Sequence, residues 1–464
     1  MSQQLVVGIP PAVLKLQQEG LLERSFHDGL FPALLFRGEA EVDTWPEHAG
    51  TEMLFTRPGL MAPVTEPIAP GTDPQSQTVP YEQWVAQLVR YANSIDTHIP
   101  TSVTANGDLF LRNIHQLGLN AGQSVNRIVR NALFVPYLSG STNMIAAGGS
   151  TDDTIRVAAL NGFTDVVLTA NVRPVPVSSS SPLPITIKNS GGDIAVNVVG
   201  FEADDPTDPN GPGTLFLDAA LGATVAIRTP VLSANRPIII RAGGGFSVDA
   251  ISSSDVLQLQ DIINAVQKLR KQNVMPHEDG FFHDHVPTEG EAQLFTDQVV
   301  QRLNTSRPDD VYYQEAFIGT MAGCVHYSNN ECPDSDNSGT LVSTGTSSFY
   351  SRGIGAETIN AAGVRIGRLI ITGRGVLQER WMDENKYLTE AGVTGKVGDF
   401  QIVNMGIQVD TDRVQLKLRA PLNKLMDEVS ATWAATTSFA APTDIASGGP
   451  QRYKRAICVE FAIE

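Results

Sequence analysis

Ala147-Gly148-Gly149-Ser150 and, about a hundred residues later, Arg241-Ala242-Gly243-Gly244-Gly245-Phe246 bracket a stretch made of short β-type runs, with segments of helical period on either side of it. That is the pattern of one domain inserted into another. Glycines have no Cβ and let the chain swivel, so Gly148, Gly149, Gly243, Gly244 and Gly245 read as insertion hinges. Within the block, Val166–Val172, Leu183–Ile187, Ile194–Val199, Thr214–Leu217, Thr224–Ile227 and Pro237–Ile240 read as strands. Asn161-Gly162, Asn189–Gly192 and the Asp204–Gly213 loop separate them. About seven such strands predict a β-sandwich of immunoglobulin type, although the cysteine and tryptophan marks of antibody domains are absent.

The host is read outward from the block. On the N-terminal side, Phe110, Ile114, Leu117, Ala121, Val125 and Ile128 fall three or four apart up to Phe134 and predict a long helix that Pro136 ends. Gly118 and Gly122 within it permit close approach or a bend. Before the helix, Thr51–Phe55 and Trp84–Tyr91 read as a strand and its return, with a helix as the alternative for the second. Between them Pro63, Pro67, Pro70, Pro74 and Pro80 exclude helix and central strand and leave a long, stiff, projecting loop. Phe26, Leu30, Phe31, Leu34, Leu35 and Phe36 lack a clean period and suit either an arm on a neighbouring surface or a core edge.

On the C-terminal side, Val256, Leu259, Ile262 or Ile263, Val266 and Leu269 form the stripe of a second helix, and a third opens at Thr288 after Pro287. Strands are expected at Val364–Thr372, Asp399–Met405 and Arg455–Ile463, and a helix near Leu416–Val429.

Composition narrows the function. The 464 residues carry 50 acidic against 33 basic side chains, a formal charge of -17, with 42% hydrophobic residues for the cores. Such a surface repels phosphate backbones and anionic membranes, which excludes a large nucleic-acid-reading face but not an enclosure that must not stick to nucleic acid. Cys324, Cys332 and Cys458 have no metal-ligand spacing and are an odd count for disulfides. No run reaches the roughly 18 apolar residues of a membrane span, and no secretory signal is recognisable, so a soluble, non-exported protein is expected.

Catalytic patterns are sparse. His277, His283 and His285 lie with three carboxylates inside nine positions and could supply metal ligands to an enzyme, or form a polar turn and strand. There is no HExxH, no G-x-S-x-G elbow and no phosphate-binding loop, so no cofactor and no catalysis are expected. No lysine occurs between Lys15 and Lys188, which leaves Arg57, Arg90, Arg112, Arg127 and Arg130 as the cations of the projecting loop and long helix. Arginine suits fixed links to carboxylates between subunits of an acidic protein; compositional accident is the other explanation. With Trp84 these are the candidate assembly contacts.

The order of parts resembles the major capsid proteins of tailed bacteriophages, the Hong Kong 97-type fold. Val85-Ala-Gln-Leu-Val-Arg-Tyr91 with Ile95-Asp96-Thr97 resembles that family's strand leading into its spine helix. Ser252–Val274 continuing into Pro276–Phe282 resembles a helix-then-strand segment of podophage coat proteins. Tyr313–Gly319 through Val325 is similar to another of their strands, although Ala316-Phe317 stretches the pattern, and Tyr453-Lys-Arg-Ala456 resembles the lead into their last strand.

The resemblance implies an α+β fold with an arm at 1–49, an extended hairpin loop at 50–98, and a peripheral domain with the spine helix at 99–148. The inserted β-sandwich follows at 149–245. The peripheral domain resumes at 246–318, an axial domain spans 319–419, and a C-terminal return occupies 420–464. It also implies a non-enzymatic virion subunit, assembled in the host cytoplasm into hexamers and pentamers of an icosahedral shell around double-stranded DNA. Portal and scaffolding proteins, and a decoration protein, are the implied partners, with no membrane. Some members crosslink through a lysine in the hairpin; this hairpin has none. The alternatives are an encapsulin-like nanocompartment shell, the metal-dependent enzyme with an accessory β-domain, and a monomeric adhesin.

Overall fold

A computed structural model describes all residues except 1–20, 31–34, 47–48, 60, 62–63, 70, 75, 99–100, 102–108, 167–172, 306–318, 338, 346–347, 383–399, 404–412, 420–424, 426, 448 and 464. In chain order come α1 (Leu21–Leu30), β1 (Ala40–Thr44), β2 (Glu52–Pro58), β3 (Tyr81–Gln87), β4 (Val89–His98) and α2 (Leu109–Tyr137). The β-rich block holds β5 (Ser141–Asn143), β6 (Thr154–Val157), β7 (Asp165–Val166), β8 (Val175–Pro176), β9 (Leu183–Ile187), β10 (Ile194–Ala203), β11 (Gly213–Leu217) and β12 (Pro230–Ser233). Then follow β13 (Ile239–Arg241), α3 (Leu259–Lys271), β14 (Phe282–Val286), α4 (Thr288–Thr296), α5 (Gln298–Thr305), β15 (Thr320–Met321) and β16 (Cys324–Ser328). The last elements are β17 (Leu341–Ser343), β18 (Phe349–Ser351), β19 (Ala356–Ile359), β20 (Arg365–Thr372), β21 (Leu377–Trp381), β22 (Phe400–Val403), β23 (Gln415–Arg419), β24 (Glu428–Ala440) and β25 (Ala456–Ile463).

The chain forms two compact units. The first takes the described residues of 1–53, 85–130 and 377–440. Its sheet runs β1-β21-β24-β23-β22, and β4 lies antiparallel to β24 from Val89 opposite Thr437 to His98 opposite Glu428. Trp433 on β24 donates its indole N–H to Asn120 Oδ1 of α2 at 3.0 Å, and Asn93 on β4 donates to the same oxygen at 2.9 Å. On α2 the backbones of Leu35 and Phe36 donate to the buried Asn126 Oδ1 at 3.0 and 2.9 Å. Helix α1 seats on α2 through two glycines. A Cβ on Gly29 would meet the His115 carbonyl, and one on Gly118 would be driven into the Phe26 carbonyl. Phe26, Leu30 and Phe36 are therefore buried in their own chain, while Leu35 is exposed and Phe31 and Leu34 lie outside the described residues.

The apolar stripe of α2 comprises Phe110, Ile114, Leu117, Ala121, Val125, Val129 and Leu133. Ile128 is only half-buried, because the stripe drifts and Val129 takes the inward position.

The second unit takes the described residues of 54–84, 131–376 and 441–464. Its main sheet runs β15-β16-β14-β20-β19-β18-β17, with β25 along β20 and β13 parallel to β25. Every residue of β25 is buried, and its run of Ala, Ile, Val and Phe suits a strand covered on both faces. Leu257, Ile262, Ala265, Val266 and Leu269 from in and before α3, and Leu294 from α4, pack with Leu369, Ile371, Ile457, Val459 and Phe461 of that sheet.

Six strands of this unit's β-rich block form one antiparallel sheet in the order β5-β12-β9-β10-β11-β6, whose two ends meet, while β7 and β8 pair with each other apart from it. Ala158 N–H donates to Asn143 O at 2.9 Å, Ile145 N–H to Arg156 O at 3.0 Å, and Met144 bridges Val157. This corrects the expectation of a two-sheet immunoglobulin-like sandwich: the sheet closes on itself into a six-stranded barrel, which removes both edges. Met144, Ile155, Val157, Leu183, Ile185, Ile187, Val198, Leu215 and Val231 fill it. Two expected strands fall elsewhere. Val225 makes only a bridge to Gly148, and the Pro237–Ile240 run supplies β13, which pairs with β25. The helix expected near Leu416–Val429 is also corrected. Gln415–Arg419 and Glu428–Ala440 are strands, since Val414 and Leu416, then Val429, Ala431, Trp433 and Ala435, are buried at period two.

Candidate functional site

Among the described residues, strands β2 and β3 pair only with each other, at the two ends of the predicted hairpin loop. Alternation on β3 buries Glu82, Trp84 and Ala86 and turns Val85 and Gln87 outward. Leu54, Met61, Val64, Ile68, Tyr81, Val85 and Val89 are all exposed, Val64 at 73%. Apolar side chains concentrated on one extension mark a surface meant for other molecules.

The base of the hairpin is held by charge. Arg57 bonds the Glu82 carboxylate and reaches Asp444 Oδ1 at 2.6 Å, and Asp444 also accepts from Arg455 Nε at 3.1 Å. The guanidinium of Arg57 lies 5.6 Å from the Trp84 ring, which stacks on Phe55 at 5.7 Å. Gly59 has no room for a side chain against Ala446, and its N–H donates to Pro80 O at 2.7 Å. Burial pushes the Glu82 carboxyl up against the opposing pull of Arg57. Arg57 and Trp84 are thus committed within their own chain.

A second charge cluster lies where the barrel meets the rest of its unit. Arg228, left-handed at φ 67°, donates Nε and Nη2 to the Asp249 carboxylate at 2.8 Å each and Nη1 to Glu357 Oε1 at 2.6 Å. Asn143 on β5 donates to Glu357 Oε2 at 2.7 Å. Arg368 Nε donates to Glu460 Oε1 at 2.9 Å, and Arg241 Nε lies 2.8 Å from Glu460 Oε2. Burial pushes the Glu357 carboxyl up. Burial acts the same way on Glu460, but Arg241 and Arg368 together outweigh it and hold that carboxyl below its ordinary value. Sequence reading missed this cluster, because its members stand far apart in the chain and only their charge beside apolar strand residues hinted at them.

The remaining candidates are dispersed. Arg90, Arg112 and Arg127 are exposed, and Arg130 is buried. Gly148 exchanges backbone hydrogen bonds with Val225, and Gly149 donates to Asp152 Oδ2 at 2.7 Å, both between β5 and β6. Gly243, Gly244 and Gly245 have φ of 75°, 85° and 97° in a turn after β13, where a Cβ on Gly243 would meet Asp255 and one on Gly245 would meet Ala250. The chain enters the barrel at Ser141 and leaves it at Ser233, so neither cluster stands at a crossing.

His277 and His283 stack at 3.9 Å, His283 Nε2 lies 3.1 Å from Asp279, and Tyr327 lies beside both His283 and the buried His285. Cys324, Cys332 and Cys458 are buried, and burial raises the Cys324 thiol far above its ordinary value. A cavity of about 380 Å³ between the β10–β11 loop and β17–β18 is lined by Asp204, Asp205 and Asp208 with Arg156, Arg352 and Tyr350. Arg156 pairs with Asp204 and Arg352 with Asp205, so its walls largely neutralise themselves.

No protein-family model matches the chain, and no curated protein does. Among solved structures it is similar to the capsid of cyanophage P-SCSP1u, with 11% identity, a TM-score of 0.47, and 93% of this chain and 89% of that one covered. The capsid of Ralstonia phage GP4 gives 12%, 0.44, 100% and 94%, and that of Helicobacter pylori bacteriophage KHP30 gives 8%, 0.46, 92% and 88%. The solved structures that this chain resembles are bacteriophage capsids, and the resemblance runs along most of its length.

Proposed function

We propose that this chain is the major capsid subunit of a tailed bacteriophage, of Hong Kong 97 type, with the barrel as its inserted domain. Hexamers and pentamers of it close a shell around double-stranded DNA in the virion. The observation that carries this reading is the hairpin: its base is clamped by Arg57, Glu82 and Asp444, while Met61, Val64 and Ile68 beyond the clamp are exposed. A stiff extension with apolar residues turned outward has a use where another copy covers it, and a shell supplies that copy to every subunit. Exposed Arg90, Arg112 and Arg127 are proposed as further contacts to carboxylates of neighbours. Portal, scaffolding and decoration proteins would be its partners, and it has no catalytic role.

Negative-stain electron microscopy of the purified protein, expressed with and without neighbouring phage genes, tests this. Closed shells or capsomer-sized rings are expected. A homogeneous monomer under every condition would overturn the reading, and shells containing another protein in place of DNA would favour a nanocompartment.

A further inference from the structure

Between the barrel and the sheet beside it lies a small, partly open space of about 20 Å³, lined among others by Asn143, Arg241, Glu357, Arg368 and Glu460. One water needs about 10–15 Å³, and this space provides that room. Four side-chain atoms of its wall make no hydrogen bond among the described residues; Arg241 Nε and Glu460 Oε2 face each other as an ion pair at 2.8 Å, which leaves Asn143 and Arg368 with bonding capacity to spare. Asn143, 1% exposed, has its amide nitrogen committed to Glu357, which turns Oδ1 the other way, and that oxygen has no hydrogen-bond partner among the described residues. Arg368, 0% exposed, spends Nε on Glu460 and Nη2 on the Glu357 backbone carbonyl at 2.5 Å and on the ion pair with Glu460, and Nη1 has no hydrogen-bond partner among the described residues.

One group is an acceptor and the other a donor, and this complementarity selects the ligand. Water accepts from the guanidinium and donates to the amide oxygen. A halide would suit Nη1 but be repelled by Oδ1, and a metal ion would be repelled by the guanidinium. Nor is there charge to neutralise, since Arg228, Arg241 and Arg368 face Asp249, Glu357 and Glu460. We propose that this space is a binding site for a single resident water that bridges Arg368 Nη1 and Asn143 Oδ1. The first strand of the barrel is thereby joined to β20 through a hydrogen-bonded ligand as well as through side chains. The inference does not depend on the shell reading.

The test is a density map of the full-length protein at a resolution that shows ordered waters, collected from chloride and from bromide solutions. A peak within hydrogen-bonding distance of both atoms, of equal height in the two solutions and without anomalous signal at the bromine edge, is expected. No peak, or an anomalous one, overturns the proposal. In Asn143→Leu, which keeps the bulk and removes the acceptor, the peak should vanish while the Arg368–Glu460 pair stays; a persisting peak also overturns it. The wild-type maps decide the matter even if that variant does not fold.

Discussion

At Gly118 the missing side chain decides how two helices meet. Alanine there would favour the isolated helix by about 1 kcal/mol, but its Cβ would enter the space of the Phe26 carbonyl, and α1 would have to move. Overpacking of this kind costs about 1–3 kcal/mol. Gly118→Ala is therefore expected to lower the denaturation midpoint and speed tryptic cleavage at Arg24; an unchanged midpoint would show that α1 has slack. The sequence marked Gly118 for close approach, because a glycine within a strong apolar stripe needs a reason. Its counterpart Gly29 sits in a helix too short to show a period, and nothing marked it. At Glu460, Arg241 and Arg368 hold the folded carboxyl below its unfolded value near 4.5, so its contribution is present above that value and is lost as pH falls through the lower one. Glu357 has the opposite sign: its raised carboxyl favours the folded state as pH falls toward 4.5 and opposes it as pH rises through the raised value. Glu460→Gln leaves two buried guanidiniums short of charge, and a loss of about 3–5 kcal/mol is expected at neutral pH. Urea titrations across the acid range should also show that the variant loses less stability on acidification than the wild type. Equal acid limbs would mean that Glu460 is not the group responsible.

At the scale of elements, the hairpin shows what a sequence pattern can convey. Its prolines excluded helix and central strand, and β2 lies where a strand was expected, but the expected return at Trp84–Tyr91 is divided between β3 and β4, and β4 pairs with β24. The pattern could not say which face of β3 turns inward, because Glu82 reads as solvent-facing until Arg57 supplies its partner. The error at Leu416–Val429 has a similar cause. Leu416, Leu418, Leu422 and Leu425 satisfy helical spacing loosely, and only pairing with β4 and β24 makes period two the operative one. The clamp gives an element-scale prediction. Arg57→Ala leaves Glu82 and Asp444 buried without that cation and removes the plane over Trp84. Amide exchange is then expected to quicken at least tenfold in β2 and β3 while β20 and β25 keep their protection. Unaltered exchange in the hairpin would show that β2–β3 pairing alone suffices.

At the scale of the whole molecule, a β-rich block set among helical segments was legible, but its closure was not. The strands that close it, β5 and β6, are three and four residues long, and the segment that joins them contains Gly148 and Gly149, two of the glycines that had read as hinges. Short strands carry little alternation, so the sequence favoured two open sheets where the backbone makes one closed sheet. The lack of lysine between Lys15 and Lys188, by contrast, needs no structure to be seen, and it bears on how a shell of these subunits would hold together. An amide crosslink from the hairpin requires a primary amine there, and residues 50–98 contain none. Cohesion would rest on buried area, where contacts of standard size remove about 1,600 Å² each and a subunit in a closed lattice makes several. Such contacts are reversible in detergent, whereas amide bonds are not. Particles boiled in denaturant and run on a denaturing gel are therefore expected to give one band at the 49.8 kDa monomer, with or without prior reductant, since all three cysteines are buried as free thiols. A ladder of multimers that survives boiling and reductant would mean that an amine outside the hairpin forms covalent links, and the reading of a shell held by surface burial alone would fail.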